Sequence, residues 1–352
     1  MTKPILSAIL SCKGYELTDE EKYLFSSYNP LGVNLFSRNL QTREQAKKLI
    51  EDIKNVINRD DVIIAVDQEG GRVNRLQPIS QQKYASAKQL AQRDIKYTQY
   101  HAMLISKELN DLGINLNYAP VVDIENNSPV LEGRTFSSDT TIITKYTKAL
   151  VDEYVYNGIC PCVKHIPGHF YTNNDPHLQQ IVIDLPRSEI EKTIGYIKNF
   201  AKCPMAMTSH VIFSDIDEYN PVTTSSKVIS EIIRGFLGFE GLLIGDAIDM
   251  HAIKGNIIEK MIKSLEADVD VVCYCSGKIE DLYSICREKR FMTEKSLNRF
   301  DKIKKVINNK NKWKGNSLVE EQYNDEFKED FKSQYTYDAT EIFEKMLKKG
   351  EN

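Results

Sequence analysis

His165, His169 and His177 are three of the six histidines in this chain, and Lys164 and Asp175 stand in the same stretch, VKHIPGHFYTNNDPH over 163–177. Pro167, Gly168 and Pro176 exclude a helix interior or a central strand, so the spacing predicts a loop dense in titratable groups. Asp175 and His177 are two apart and face the same side of an extended stretch. An aspartate bonded to one ring nitrogen fixes the tautomer and leaves the other nitrogen to give and take a proton near neutral pH. For an isolated D-x-H, an Asx-type turn with a solvated histidine is the plain alternative. His165, His169, Asp175 and His177 also form a candidate metal set, which would mean metal-assisted hydrolysis. Lys164 would set a positive charge beside such an ion, and neither H-x-H nor H-E-x-x-H spacing occurs, so the expectation is no metal and no cofactor.

A second centre is Asp246, at the end of the apolar run Gly241–Gly245. A carboxylate fixed on a strand end, with Gly245 admitting a close ligand, suits a nucleophile that forms a covalent intermediate. Capping the next helix is the alternative role, and Asp249 is the nearby rival. Lys164, His165, Arg72, Arg75 and Arg134 can donate to hydroxyl, amide or carboxylate oxygens, and Asp67 can accept from two adjacent sugar hydroxyls. Any one of them alone fits a solvated rim; several at corresponding strand ends fit a binding site.

The elements that must hold these groups recur regularly. Apolar runs of strand length fall at Ile5–Leu10, Gly32–Phe36, Val62–Val66, Ile114–Tyr118, Ile159–Val163, Met205–Thr208, Leu242–Gly245 and Val269–Tyr274. Helical periodicity marks Thr42–Asn58, Ala87–Leu112, Thr141–Asn157, Arg187–Ala201, Lys227–Phe236 and Ile257–Ala267, with Gly113, Gly158 and Gly238 as stops. Eight such repeats over about 280 residues predict a closed (β/α)₈ TIM-type barrel, with a doubly wound open sheet as runner-up. Arg38, Asp67, Asp123, Lys164, His210 and Asp246 then collect at the C-terminal ends of strands, the active face of that fold. The domain expectation is one barrel over residues 1–310 and a charged helical appendage over 311–352, which Trp313 would pin.

With 46 basic and 50 acidic residues the net charge is −4, which gives no electrostatic footprint for nucleic acid or an anionic membrane. No apolar run approaches the roughly 20 residues of a membrane span. MTKPILSAILSCKGYELTDEE reads as a first strand rather than a signal peptide. Seven cysteines, two pairs of them spaced C-x-C (Cys160 and Cys162, Cys273 and Cys275), suggest free thiols on strand faces in a reducing cytoplasm.

Several motifs appear together and in order: GVNLFSRN (32–39), DQEGGRVNRL (67–76), NYAPVVDI (117–124), GRTFSSD (133–139), KHIPGH followed by D-x-H (164–177), MTSHV (207–211) and GFEGLLIGDAIDM (238–250). In these the chain resembles the bacterial β-N-acetylglucosaminidases of glycoside hydrolase family three, the NagZ type that trims N-acetylglucosamine from muropeptides in peptidoglycan recycling. The resemblance spans roughly residues 5 to 275. It implies Asp246 as nucleophile, His177 as general acid/base with Asp175 as partner, and Asp67, Arg75, Arg134, Lys164 and His165 as holders of the sugar. It also implies a retaining mechanism through a glycosyl-enzyme ester, a small-molecule muropeptide substrate, a monomer and a cytoplasmic setting. Phe170 stands where the family has glycine, Pro176 where it has serine, and Gly245 where it has serine or threonine; the first two imply a stiffer loop. A non-catalytic muropeptide-binding relative and a metal-dependent barrel hydrolase are the alternatives.

Overall fold

The computed structural model describes residues 3–126, 128–170 and 180–308. Eight parallel strands follow one another around a barrel: β1 (Leu6–Ser11), β2 (Pro30–Leu35), β3 (Ile63–Val66), β4 (Leu116–Asn117), β5 (Cys160–Ile166), β6 (Met205–Thr208), β7 (Leu242–Ile244) and β8 (Val272–Cys273). β8 returns to pair with β1, and β7 meets the start of β8 through an Ile244–Val271 bridge and the Gly245 N–H on the Val271 carbonyl at 3.0 Å. The fold is the expected (β/α)₈ barrel. Its strands are apolar on both faces, as a sheet covered by helices outside and filled by side chains inside requires.

Helix Arg43–Ile57 shows how the outer layer forms. Thr42 caps its start, Asn58 ends it at φ 55°, and Ala46, Leu49, Ile50, Ile53 and Ile57 face the sheet at helical spacing. Inside, Ile9, Ile63, Leu116, Cys160, Met205 and Leu242 pack together, and Phe300, Ile303 and Ile307 of helix Glu294–Ile307 join them from the N-terminal end. That end is thereby closed by apolar packing, and the opposite end is left for polar side chains. No helix among the described residues is long and apolar enough to cross a membrane.

Two local expectations need correction. β5 runs on through Lys164 and His165 to Ile166, where a loop was expected, because Lys164 pairs with Met207 of β6. Pro161 is tolerated inside this central strand: Cys160 and Cys162 donate to the β4 side, and β6 begins to pair only at Cys162, so no bond is lost at residue 161. The long helix expected over Ala87–Leu112 is two, Ala87–Ala91 and Ile95–Leu112, with Asp94 capping the second. The Ala119–Pro120, Lys164–His165 and Ile166–Pro167 peptide bonds are cis. The expected appendage over 311–352, with Trp313, lies outside the described residues.

Candidate active site

Asp67 follows directly on β3, and the chain then doubles back in a short antiparallel pair, Gln68–Gly70 with Val73–Asn74. Gly70, at φ 94°, makes the reversal possible: a Cβ there would stand 2.2 Å from the Ala85 carbonyl oxygen. The turn brings Glu69 back over the barrel mouth beside Asp67. From β5, the Lys164 ammonium donates to Asp67 Oδ1 at 2.6 Å and lies 2.7 Å from Glu69 Oε1. Arg134 grips the same Glu69 with a fork, Nε to Oε2 and Nη2 to Oε1, both at 2.8 Å. Burial disfavours the charge on Glu69, but Arg134 and Lys164 outweigh it and hold the carboxyl far below its usual range. Asp67 keeps its second oxygen free of any protein partner among the described residues, and its side chain is 20% exposed toward the cavity.

Asp123, beyond β4 and fully buried, organises the next pair. Its Oδ2 accepts from the His165 backbone N–H (3.1 Å) and Nδ1 (2.8 Å), and its Oδ1 from the His169 N–H (2.8 Å) and Nδ1 (3.3 Å). An ionised carboxylate can only accept, so each ring carries a proton on the Nδ1 that faces Asp123. Burial pushes His165 below the usual imidazole range, against the pull of Asp123, so it is neutral at pH 7 and presents an acceptor where the sequence suggested a donor. Asp123, His165 and His169 also bring three potential metal-ligand atoms within 4.8 Å. To bind an ion there, Asp123 would have to release hydrogen bonds it now accepts.

Asp246 follows β7 and its carboxylate is 18% exposed into the same space, Oδ2 lying 4.0 Å from His165 Nε2. The Ala247 N–H donates to its Oδ1 at 2.7 Å. Burial raises the Asp246 carboxyl, and the rings of His210 and His165 with the Ala247 N–H more than offset it, leaving it below the ordinary carboxylate range and ionised at neutral pH. Asp67, Arg75, Arg134, Lys164, His165 and Asp246 all line one cavity of about 770 Å³, a size that suits a small-molecule ligand.

The Glycosyl hydrolase family 3 N terminal domain matches residues 8–308, almost the whole described barrel. A β-hexosaminidase of Psychromonas ingrahamii is 31% identical over 282 residues, 77% of this chain and 82% of that protein. The chain belongs to glycosyl hydrolase family 3. Among solved members, NagZ from Neisseria gonorrhoeae in complex with N-trifluoroacetyl-D-glucosamine has 26% identity and a TM-score of 0.77 over 85% of this chain and 90% of its own. The family 3 β-N-acetylglucosaminidase from Paenibacillus sp. str. FPU-7 has 26% identity and a TM-score of 0.78, and this chain spans 61% of it.

In this family 3 β-hexosaminidase the backbone around Asp246 is held by a hydrogen-bond ring that strand-end spacing did not foretell. The Asp246 N–H donates to Thr208 Oγ1 (3.3 Å), Thr208 and Thr223 hydroxyls meet at 2.6 Å, and Thr223 Oγ1 meets His210 Nδ1 at 2.8 Å. His210 Nε2 closes the ring on the Ala247 carbonyl at 3.1 Å. That carbonyl cannot donate, so Nε2 carries the proton and Nδ1 of the neutral ring accepts from Thr223. Gly245 faces this ring and not the ligand: a Cβ would lie 2.9 Å from the Thr223 methyl, so the missing side chain makes room for Thr223. This corrects the expectation that Gly245 admits substrate.

The other expected residues divide clearly. Arg72 lines the cavity but directs its guanidinium to the carbonyls of Pro129, Val130 and Glu132. Arg75 stands over the Phe36 ring, 5.6 Å from its centre, and its Nε has no partner among the described residues. Phe170 is buried against Phe213 with ring centres 5.6 Å apart, so it anchors the chain in the core. Asp175, Pro176 and His177 lie outside the described residues.

Glu69, Asp123 and His210 are strand-end polar groups to which spacing alone gave no role. If Asp123 is the clamp that its four contacts make it, Asp123→Ala will strand two ring N–H groups and two backbone N–H groups in a buried site. Unfolding in urea should then show a loss of about 3 kcal/mol or more. A loss below about 1 kcal/mol would mean that water or a neighbour replaces the carboxylate.

Proposed function

We propose that this chain is a retaining exo-β-N-acetylglucosaminidase that removes N-acetylglucosamine from (anhydro)N-acetylmuramyl fragments in peptidoglycan recycling. The observation that carries the reading is the ionised Asp246 carboxylate on the wall of a cavity whose polar lining includes Asp67, Arg134, Lys164 and His165. A ligand-bound relative of the same fold, NagZ with N-trifluoroacetyl-D-glucosamine, supports an aminosugar there. In this mechanism Asp246 attacks the anomeric carbon and forms a glycosyl ester through an oxocarbenium-like transition state. His177, oriented by Asp175, gives its proton to the leaving oxygen and then takes one from the incoming water. Asp67 accepts from neighbouring hydroxyls, Arg134, Arg75 and Lys164 donate to oxygens of the sugar and its N-acetyl group, and His165 Nε2 accepts from a hydroxyl. Seven cysteines without a disulfide fit action in a reducing cytoplasm.

The test is hydrolysis of chromogenic β-N-acetylglucosaminides with a series of leaving groups, followed by release of N-acetylglucosamine from muropeptides. His177→Ala is expected to slow poor leaving groups by roughly 10²-fold or more and good ones much less, because only the former need the proton. Uniform slowing across the series would remove His177 from the acid role, and no turnover by the wild type would remove the activity itself.

A further inference from the structure

Beyond the groups assigned to hydrolysis, the cavity wall carries two thiols. Cys273 ends β8 and Cys275 follows two residues on; both line the cavity, and their Sγ atoms are 3.5 Å apart. Asn34 donates from Nδ2 to Cys273 Sγ at 3.1 Å and reaches Cys275 Sγ at 4.0 Å. Asn34 is itself fixed, its Oδ1 accepting from Tyr118 Oη at 2.6 Å. Arg38 donates to the Cys275 carbonyl and Asp249 accepts from the Cys275 N–H, so the pair sits on a backbone tied on both sides. Two bonds to sulfur of about 2.3 Å at the roughly 95° angle of a pyramidal trivalent centre hold their sulfurs about 3.4 Å apart, so the observed spacing needs almost no adjustment. Cys160 and Cys162 repeat the same C-x-C spacing, but both are buried in the barrel interior, and they provide an internal comparison.

We propose that Cys273 and Cys275 form a chelating dithiol site on the cavity wall for a soft, thiophilic centre of the trivalent-arsenic kind, and that filling it closes the cavity to substrate. The closing half rests on the cavity being the sugar site; the capture half does not. Cys275, the more exposed thiol, reacts first, and Cys273 then closes the ring intramolecularly. With an organoarsenic dihydroxide two As–O bonds break, two As–S bonds form, and both thiol protons leave in two molecules of water, with no change in oxidation state. The contact with Cys273 and burial raise the Cys275 thiol well above its usual range, so capture should accelerate with pH as thiolate forms, and simple alkylation at neutral pH should be slow.

Phenylarsine oxide is the probe, added to the folded full-length chain and read by intact mass and by chromogenic hydrolysis in parallel. The expected result is one adduct per chain with loss of hydrolysis, reversed by 2,3-dimercaptopropanol but not by the same thiol concentration of 2-mercaptoethanol. Cys275→Ser and Cys273→Ser, each compared with its own untreated sample, should hold the reagent about 10²-fold more weakly, since either leaves a single anchor. Adduct in either variant at the wild-type level would overturn the site. Full occupancy in the wild type with undiminished hydrolysis would overturn the closure. The mass readout stands even for a chain that does not hydrolyse the chromogenic sugar, so failure of the site and failure of the activity are separable.

Discussion

Asp246→Asn is expected to lower chromogenic β-N-acetylglucosaminide hydrolysis by a factor on the order of 10³ or more, with the protein's unfolding temperature nearly unchanged. The substitution is close to isosteric, and an amide oxygen can still accept the Ala247 N–H that now binds Oδ1 at 2.7 Å. The ring through Thr208, Thr223 and His210 meets only backbone atoms of Asp246 and Ala247, so it is untouched. What disappears is the anionic oxygen that forms the ester and balances the developing positive charge of the sugar. The experiment is steady-state kinetics with a thermal melt on the same samples, and trapping of the wild type with a 2-acetamido fluoro-sugar should place an adduct on Asp246. Activity of the Asp246→Asn variant within about tenfold of the wild type would end the assignment, whatever the fate of the other residues.

Glu69→Gln is expected to be the most destabilising single change at the mouth of the barrel, by about 3–5 kcal/mol, because it leaves buried cations short of their counter-charge. Lys164 retains Asp67, but the amide offers a single neutral oxygen, so Arg134 loses its two-armed, charge-assisted fork and keeps at most one arm there besides the Val130 carbonyl. KM should rise as well, since Lys164 and Arg134 are no longer held against one wall. The pH dependence has a definite sign. The folded pKa of Glu69 is depressed, so its contribution is fully present above the unfolded value of about 4.3 and is lost as pH falls from there toward the folded value. Wild-type stability should therefore fall in acid below about pH 4.5, and the Gln variant should show a slope shallower by up to about 1.4 kcal/mol per pH unit. Parallel acid slopes for the two proteins would show that Glu69 is not the group responsible.

The amino-acid sequence on its own determined the barrel and the residues at its rim. Short apolar runs alternating with amphipathic helices leave a parallel closed sheet as the arrangement that covers both faces, and the end of each run marks where Asp67, Lys164 and Asp246 emerge. Those are local properties of the chain, and local patterning carries them. Tertiary structure alone decided who partners whom. Glu69 meets Arg134 across 65 residues of sequence, Lys164 meets Asp67 across 97, and Asn34 reaches Cys273 across 239. The same holds for the Asp123 clamp on His165 and His169, and for His210 closing on Ala247. Pro161 inside β5 belongs here too: the apolar run marked the strand, but only register against β4 and β6 decides that no N–H is needed at residue 161. Periodicity is a one-dimensional signal that fixes which face a side chain takes; charge pairing, tautomer and sulfur spacing arise only when the closed sheet brings distant strand ends into contact.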